Sequence, residues 1–182
     1  MKRRVAEYLR YRPLLETAPI RESIEKMRLP GYPYCHPEEG DLLYLLLQEI
    51  EGEACLEMGF HTGSTALYMS NAVAARNGRV TSVCLDVEED VARGKKLLSD
   101  NGFSARHRLM QINSNRAVPE LFLANEKFDF ICLNENTIFI SRASRVYHAA
   151  GSNTRNRHRA TAEMQLSMFR ITRVFFFVVC VC

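Results

Sequence analysis

Between positions 57 and 65 the chain reads Glu57-Met58-Gly59-Phe60-His61-Thr62-Gly63-Ser64-Thr65, the spacing E-x-G-x-x-x-G-x-T. Glycines at such a turn reach left-handed backbone angles and let a ligand approach without meeting a side chain. Free amides at the start of a following helix favour an anionic group. A carboxylate or a phosphate is what such a loop could hold; a tight turn with no ligand is the alternative. His61 is either a ligand contact or an exposed loop histidine. Two other uses of a glycine loop fail on spacing. The dinucleotide pattern G-x-G-x-x-G would need glycine at 61 and 64, and the triphosphate loop would need lysine where Ser64 stands. A nicotinamide oxidoreductase and a nucleoside triphosphatase are therefore disfavoured.

A loop of this kind works only between a strand and a helix, and the surrounding pattern supplies both. The apolar run 54–58 reads as a strand and 64–76 as a helix; 79–85 reads as a strand and 88–101 as a helix ended by Gly102. A weaker strand follows at 107–112, a short helix at 115–124 and a strongly apolar strand at 128–133. Strand and helix alternate four times, which predicts an α/β fold with a mostly parallel sheet, right-handed crossovers and a ligand beyond the carboxyl ends of the strands. Upstream, residues 1–30 have helix-like spacing, broken by Leu29-Pro30-Gly31-Tyr32-Pro33-Tyr34 as a linker or lid. Helix resumes from His36-Pro37-Glu38-Glu39 to position 50, with Leu42, Leu43, Leu46 and Leu47 in one stripe. Beyond 134 the pattern weakens: helix-compatible stretches at 142–150 and 160–169 flank a polar loop, and 171–181 could be a fifth strand.

Composition narrows the class. With 182 residues, 47 % hydrophobic and 25 % charged, the chain suits one packed core, as an N-terminal helical lid segment (1–35) on an α/β domain (36–182) whose end, 150–182, is atypical. The net charge is +3, and much of the positive excess sits in Lys2, Arg3, Arg4 and the run Arg155, Arg157, His158, Arg159, which has no interleaved aromatics; this argues against a nucleic-acid partner. Six cysteines without a C-x-x-C pair, at 35, 55, 84, 132, 180 and 182, predict free thiols, no zinc site and a cytoplasmic protein. The apolar end 174–182 is about half of what a bilayer-crossing helix needs, so no membrane anchor is expected.

The loop with the segments after it resembles the first motifs of class I S-adenosylmethionine-dependent methyltransferases, particularly the small O-methyltransferases of the catechol type and their bacterial relatives. The resemblance runs from Glu38 to Asn134. Besides the loop it rests on Gly78-Arg79-Val80-Thr81-Ser82-Val83 as the family's second strand. Asn113-Ser114 with Val118-Pro119-Glu120-Leu121 matches the turn and helix after the third strand, and Phe128-Asp129-Phe130-Ile131-Cys132-Leu133 the fourth strand. It implies a Rossmann-like three-layer sandwich, incomplete at its C-terminal end, with S-adenosylmethionine as cofactor and a small-molecule oxygen or nitrogen as methyl acceptor. By match, Gly59, His61, Gly63 and Thr65 would wrap the methionine part of the cofactor and Ser114 would meet the adenine, with Glu57 and Asn134 also counted among the cofactor-binding residues.

Two positions depart from the family pattern. Cys84 stands where an acid usually grips the ribose; Asp86, two residues on and on the same face, either takes over that role or caps the helix beginning near Glu88. Asn134 stands where metal-dependent members carry an aspartate, and the nearby lysine is absent, so no metal is expected; Glu135 either compensates or is a solvated loop residue. The catalytic residue is left unassigned, with His36, His61 and Glu135 as candidate bases. The unguarded apolar end suggests a truncated or frame-altered reading of a longer ancestor, and an unfinished sheet edge would invite a homodimer. The rival reading is a non-catalytic binding or interaction module that keeps the fold.

Overall fold

The computed structural model of the chain describes residues 12–134 and 175–178, so the expectations for 1–11, 135–174 and 179–182, and for Glu135 among them, lie outside the described residues. The first helix among the described residues, α1 (Ala18–Met27), leads through an extended segment to α2 (Pro37–Glu49). Then follow β1 (Ala54–Met58), α3 (Ser64–Ala74), β2 (Arg79–Val83) and α4 (Glu88–Asp100). A short 3-10 turn (Ser104–Arg106) precedes β3 (His107–Met110), α5 (Ser114–Leu123) and β4 (Phe130–Leu133), and a fifth strand β5 runs Phe175–Val178. The elements expected from the alternation are present, most of them a residue or two shorter at an end, where helices and strands fray.

All five strands are parallel, in the order β3-β2-β1-β4-β5. The connection from β3 to β4 passes over β2 and β1, so chain direction reverses beside β1 and opens a crevice at the carboxyl ends there. Side chains alternate across the strands. Cys55, Val80, Phe130 and Cys132 join a core with α1 to α4, while Leu56, Met58, Val83 and Ile131 pack with Ala117 and Leu121 of α5 on the opposite face. These are the three layers of the Rossmann-like fold.

The layer of α2 and α3 is tight. A Cβ on Gly40 of α2 would lie 2.2 Å from the ring of Tyr68, so only glycine lets the two helices close. Arg76, just past α3, donates to the carbonyls of Leu47 and Gly52 at the end of α2. The N-terminal segment is held to α2 by the buried carboxylate of Asp41, which accepts from the Leu14 amide, the Thr17 hydroxyl and the Arg21 guanidinium. A buried charge needs several donors of this kind. Among the described residues no helix is long and apolar enough to cross a membrane.

Candidate functional site

The loop after β1 takes left-handed angles at three alternate positions, Gly59 (φ 95°), His61 (φ 45°) and Gly63 (φ 75°). Gly63 precedes α3, whose first turn has no side-chain cap, so its amides are open donors in the field of the helix N-terminus. Packing adds to the left-handed angle at Gly63: a Cβ there would lie 3.0 Å from Gly94 Cα of α4 and 3.0 Å from Phe60 Cζ. Phe60 itself turns inward, 2 % exposed, and stacks on His107 with ring centroids 5.1 Å apart.

Glu57 lies at the foot of this loop on β1 and is fully buried, at 0 % exposure. Its two oxygens are already engaged by the protein: Ser82 Oγ hydrogen-bonds Oε2 at 2.5 Å and Asn134 Nδ2 donates to Oε1 at 3.0 Å. Burial pushes its carboxyl up to about 8, although the Ser82 and Asn134 hydrogen bonds pull the other way. Glu57 is thus a mostly neutral group at pH 7, shaping the floor of the crevice. Asn134 also reaches Gly59 O, at 3.4 Å, and so ties the tip of β4 to the loop.

Asp86, half-buried past the tip of β2, accepts the His61 amide at 2.7 Å through Oδ2. Of the two roles open to it, helix capping is excluded by the geometry, since Val87 occupies the cap position of α4 with no side-chain bond. The Cys84 thiol is buried and pushed up to about 11, mainly by that burial, which leaves it neutral and unlike the acid it replaces. On either side of Asp86, Leu85 and Val87 are each 66 % exposed. Sequence reasoning missed this apolar surface; two apolar residues flanking an acid just past a strand end were the available signal. At the neighbouring tip of β3, Ser114 opens α5 half-buried, and the Asn113 side chain is committed to capping by accepting the Asn115 amide at 2.8 Å.

The extended segment before α2 lies across the loop. Cys35 N donates to Ser64 Oγ at 2.9 Å, and its buried thiol hydrogen-bonds Thr65, so Thr65 is turned into this junction. The Tyr32 ring meets His61 edge-on at 6.2 Å, and the Arg93 guanidinium of α4 lies 5.1 Å from the centroid of the same Tyr32 ring. His61 Nε2 is 3.8 Å from Asp90 Oδ2, while His61 Nδ1 and Thr62 Oγ1 are buried without a hydrogen-bond partner. Hydrogen bonds join the candidate residues in two sets, Glu57 and Gly59 through Asn134 and His61 with Asp86; Gly63 is in the same turn, Thr65 is in the first turn of α3, and Ser114 opens α5 after β3. His36 is exposed at the start of α2 and its amide donates to Glu39, away from this network.

The residues do not fit a divalent cation at Asn134. The side chain is neutral, its nitrogen is spent on Glu57 and Gly59, and its oxygen faces Cys132 Sγ at 3.6 Å. Among the described residues no cluster of three or more His, Cys, Asp or Glu is placed to hold a metal ion.

Residues 15–141 match the profile of the O-methyltransferase family. No curated protein matches the chain. Solved structures of similar fold include the O-methyltransferase TomG from Streptomyces achromogenes, involved in tomaymycin synthesis and in complex with SAM. It has 17 % identity and a TM-score of 0.58, over 75 % of this chain and 60 % of that one. An SAH-bound methyltransferase of Podospora anserina has 17 % identity and a TM-score of 0.59, over 75 % of this chain and 58 % of that one. The Bacillus cereus O-methyltransferase in complex with SAH has 18 % identity and a TM-score of 0.54, over 74 % of this chain and 60 % of that one. The chain therefore spans about three fifths of the length of these structures.

Proposed function

The chain belongs to the O-methyltransferase family, and from that premise we propose that it transfers a methyl group from S-adenosylmethionine to an oxygen, or a nitrogen, of a small molecule. The observation that carries this reading is the left-handed turn at Gly59, His61 and Gly63, set at the carboxyl end of the central strand before an uncapped helix. Bound there, S-adenosylmethionine would supply a methyl group already activated by a sulfonium centre.

The chain's own residues would bind and orient. The open amides of α3 favour the cofactor carboxylate, Asp86 is placed for ribose hydroxyls, and Leu85 and Val87 offer apolar surface to an adenine that Ser114 approaches from the other side. Buried orphan atoms in the loop, His61 Nδ1 and Thr62 Oγ1, fit a polar ligand. Alignment of an acceptor atom with the methyl group is worth several kcal/mol of barrier and asks for little acid or base chemistry. Of the candidate bases among the described residues, His61 is the one in the loop, beside Asp90.

Calorimetry with S-adenosylmethionine and S-adenosylhomocysteine tests the reading. Binding is expected, with stabilisation of about 2.7 kcal/mol at a ligand concentration a hundred times Kd. Absence of any heat or thermal shift overturns it. Binding without transfer across catechols, phenols and amines would leave the non-catalytic binding module.

A further inference from the structure

One chain of side-chain hydrogen bonds crosses four strands on the same face of the sheet. Asn134, just past β4, donates to Glu57 of β1 at 3.0 Å; Ser82 Oγ of β2 lies 2.5 Å from the other oxygen of Glu57; and Ser82 Oγ lies 2.8 Å from His107 Nε2 on β3. Register explains how they meet. Glu57 and Ser82 are direct cross-strand partners, and His107 lies diagonally from Ser82, two places before its partner Leu109. Glu57 and Ser82 are fully buried, whereas His107 is half-buried on the strand that ends the sheet order. The chain thus runs from the foot of the glycine loop to the border of the sheet.

The geometry points to Ser82 and His107 as positioning residues of the proposed cofactor site, forming a proton path by which Glu57 gains or loses its charge as a cationic ligand group seats on the loop above it. This rests on the cofactor reading above. Ser82 has a single hydrogen, so two arrangements share the same heavy atoms. In one, the protonated Glu57 donates from Oε2 to Ser82, Ser82 donates to His107 Nε2, and the imidazole hydrogen is on Nδ1. In the other, Glu57 is ionised, Ser82 donates to it, and His107 donates from Nε2–H to Ser82. To pass from the first to the second, the O–H bond on Glu57 breaks as one forms on Ser82. The original O–H of Ser82 breaks as an N–H forms on Nε2, and the Nδ1 proton leaves to water. One proton is released, and the imidazole stays neutral before and after.

The surroundings agree with a relay. Burial, with Lys95 of α4 adding to it, pulls His107 down to about 4, so it passes protons at neutral pH without keeping them. The titratable groups facing Glu57 are Cys55 from its own strand, Cys132 from β4, Cys84 and Asp86 from the end of β2, and Cys35 from the segment before α2. All four thiols are held neutral by burial, and Asp86 is a carboxylate that opposes ionisation. A ligand cation would relieve that opposition. The His107 ring also stacks on Phe60 of the loop, so the relay and the loop share one contact.

The test is the His107 tautomer, read by long-range proton–nitrogen correlation on the full labelled chain without ligand. Between pH 6 and 10 the hydrogen is expected to move from Nδ1 to Nε2 with a midpoint near 8, without passing through imidazolium. Ser82→Ala should abolish the swap and Ser82→Thr should restore it. One tautomer throughout in the unaltered chain, or a swap that survives Ser82→Ala, overturns the path. In a second arm S-adenosylhomocysteine is titrated at pH 6.5 and 8.5, where about tenfold tighter binding at the higher pH is expected, and none of that gain in Glu57→Gln. Equal binding at both pH values overturns the link between path and ligand. No binding at either overturns the cofactor reading, while the tautomer still decides the path.

Discussion

The tips of β2 and β4 flank the central strand and use their polar groups in opposite ways. Past β2, Asp86 is half-buried and spends one oxygen on the His61 amide, between apolar neighbours that are two-thirds exposed. Past β4, Asn134 is turned inward, its nitrogen divided between Glu57 and the carbonyl of Gly59. One tip keeps surface for a ligand; the other is consumed in holding the loop. The difference accounts for Asn134. An aspartate there would set a second acceptor 3.0 Å from Glu57 Oε1, in a site whose carboxyl is already pushed up by burial, and the amide supplies the donor instead.

The strongest way to break this arrangement is through the turn both tips share. Gly63→Ala should destabilise the fold by about 3 kcal/mol, adding a left-handed angle on a residue with Cβ to crowding against Gly94 and Phe60. Chemical denaturation measures it, and a loss below 1 kcal/mol would refute the packing argument. At the inward tip, Asn134→Asp should cost about 2 kcal/mol at pH 8 and recover on acidification, because a half-buried carboxyl and the buried carboxyl of Glu57 must share a proton. Equal cost at pH 5 and 8 would show that lost packing, and not charge, is responsible.

Unaltered protein should show the same chemistry in weaker form. The folded Glu57 is raised to about 8 from an ordinary 4.5, so the fold binds the extra proton, and stability falls as pH rises through that window. His107, lowered to about 4 from 6.5, has the opposite sign and acts below 6.5. From pH 6.5 to 8 the Glu57 slope stands alone, at most about 1.4 kcal/mol per pH unit, and Glu57→Gln should flatten it. At the open tip, Asp86→Ala should cost about 1 kcal/mol through the lost His61 bond, with a roughly tenfold loss of S-adenosylhomocysteine affinity. Leu85→Ser, the mildest change, should alter stability by under about 0.5 kcal/mol and weaken the ligand a few-fold. Unchanged affinity in both variants would mean that the ligand surface lies elsewhere.

The sequence by itself determined the alternation of strands and helices, the parallel sheet, the place of the glycine turn and the strand-tip location of the candidate site. Those signals are local: apolar periodicity, Pro37 opening a helix, Gly102 closing one at φ 78°, and a loop spacing that excludes two other cofactor classes. Only the tertiary structure decided what the polar side chains do. Glu57 meets Ser82 25 residues on and Asn134 77 residues on, and Asp86 is reached from His61 25 residues before it. The crowding of Gly63 by Gly94 on another helix adds to its left-handed angle, and His107 was legible only as part of a weak strand. A side chain's role follows from the burial and partners it finds, and those come from elements brought together by crossovers that no local pattern encodes.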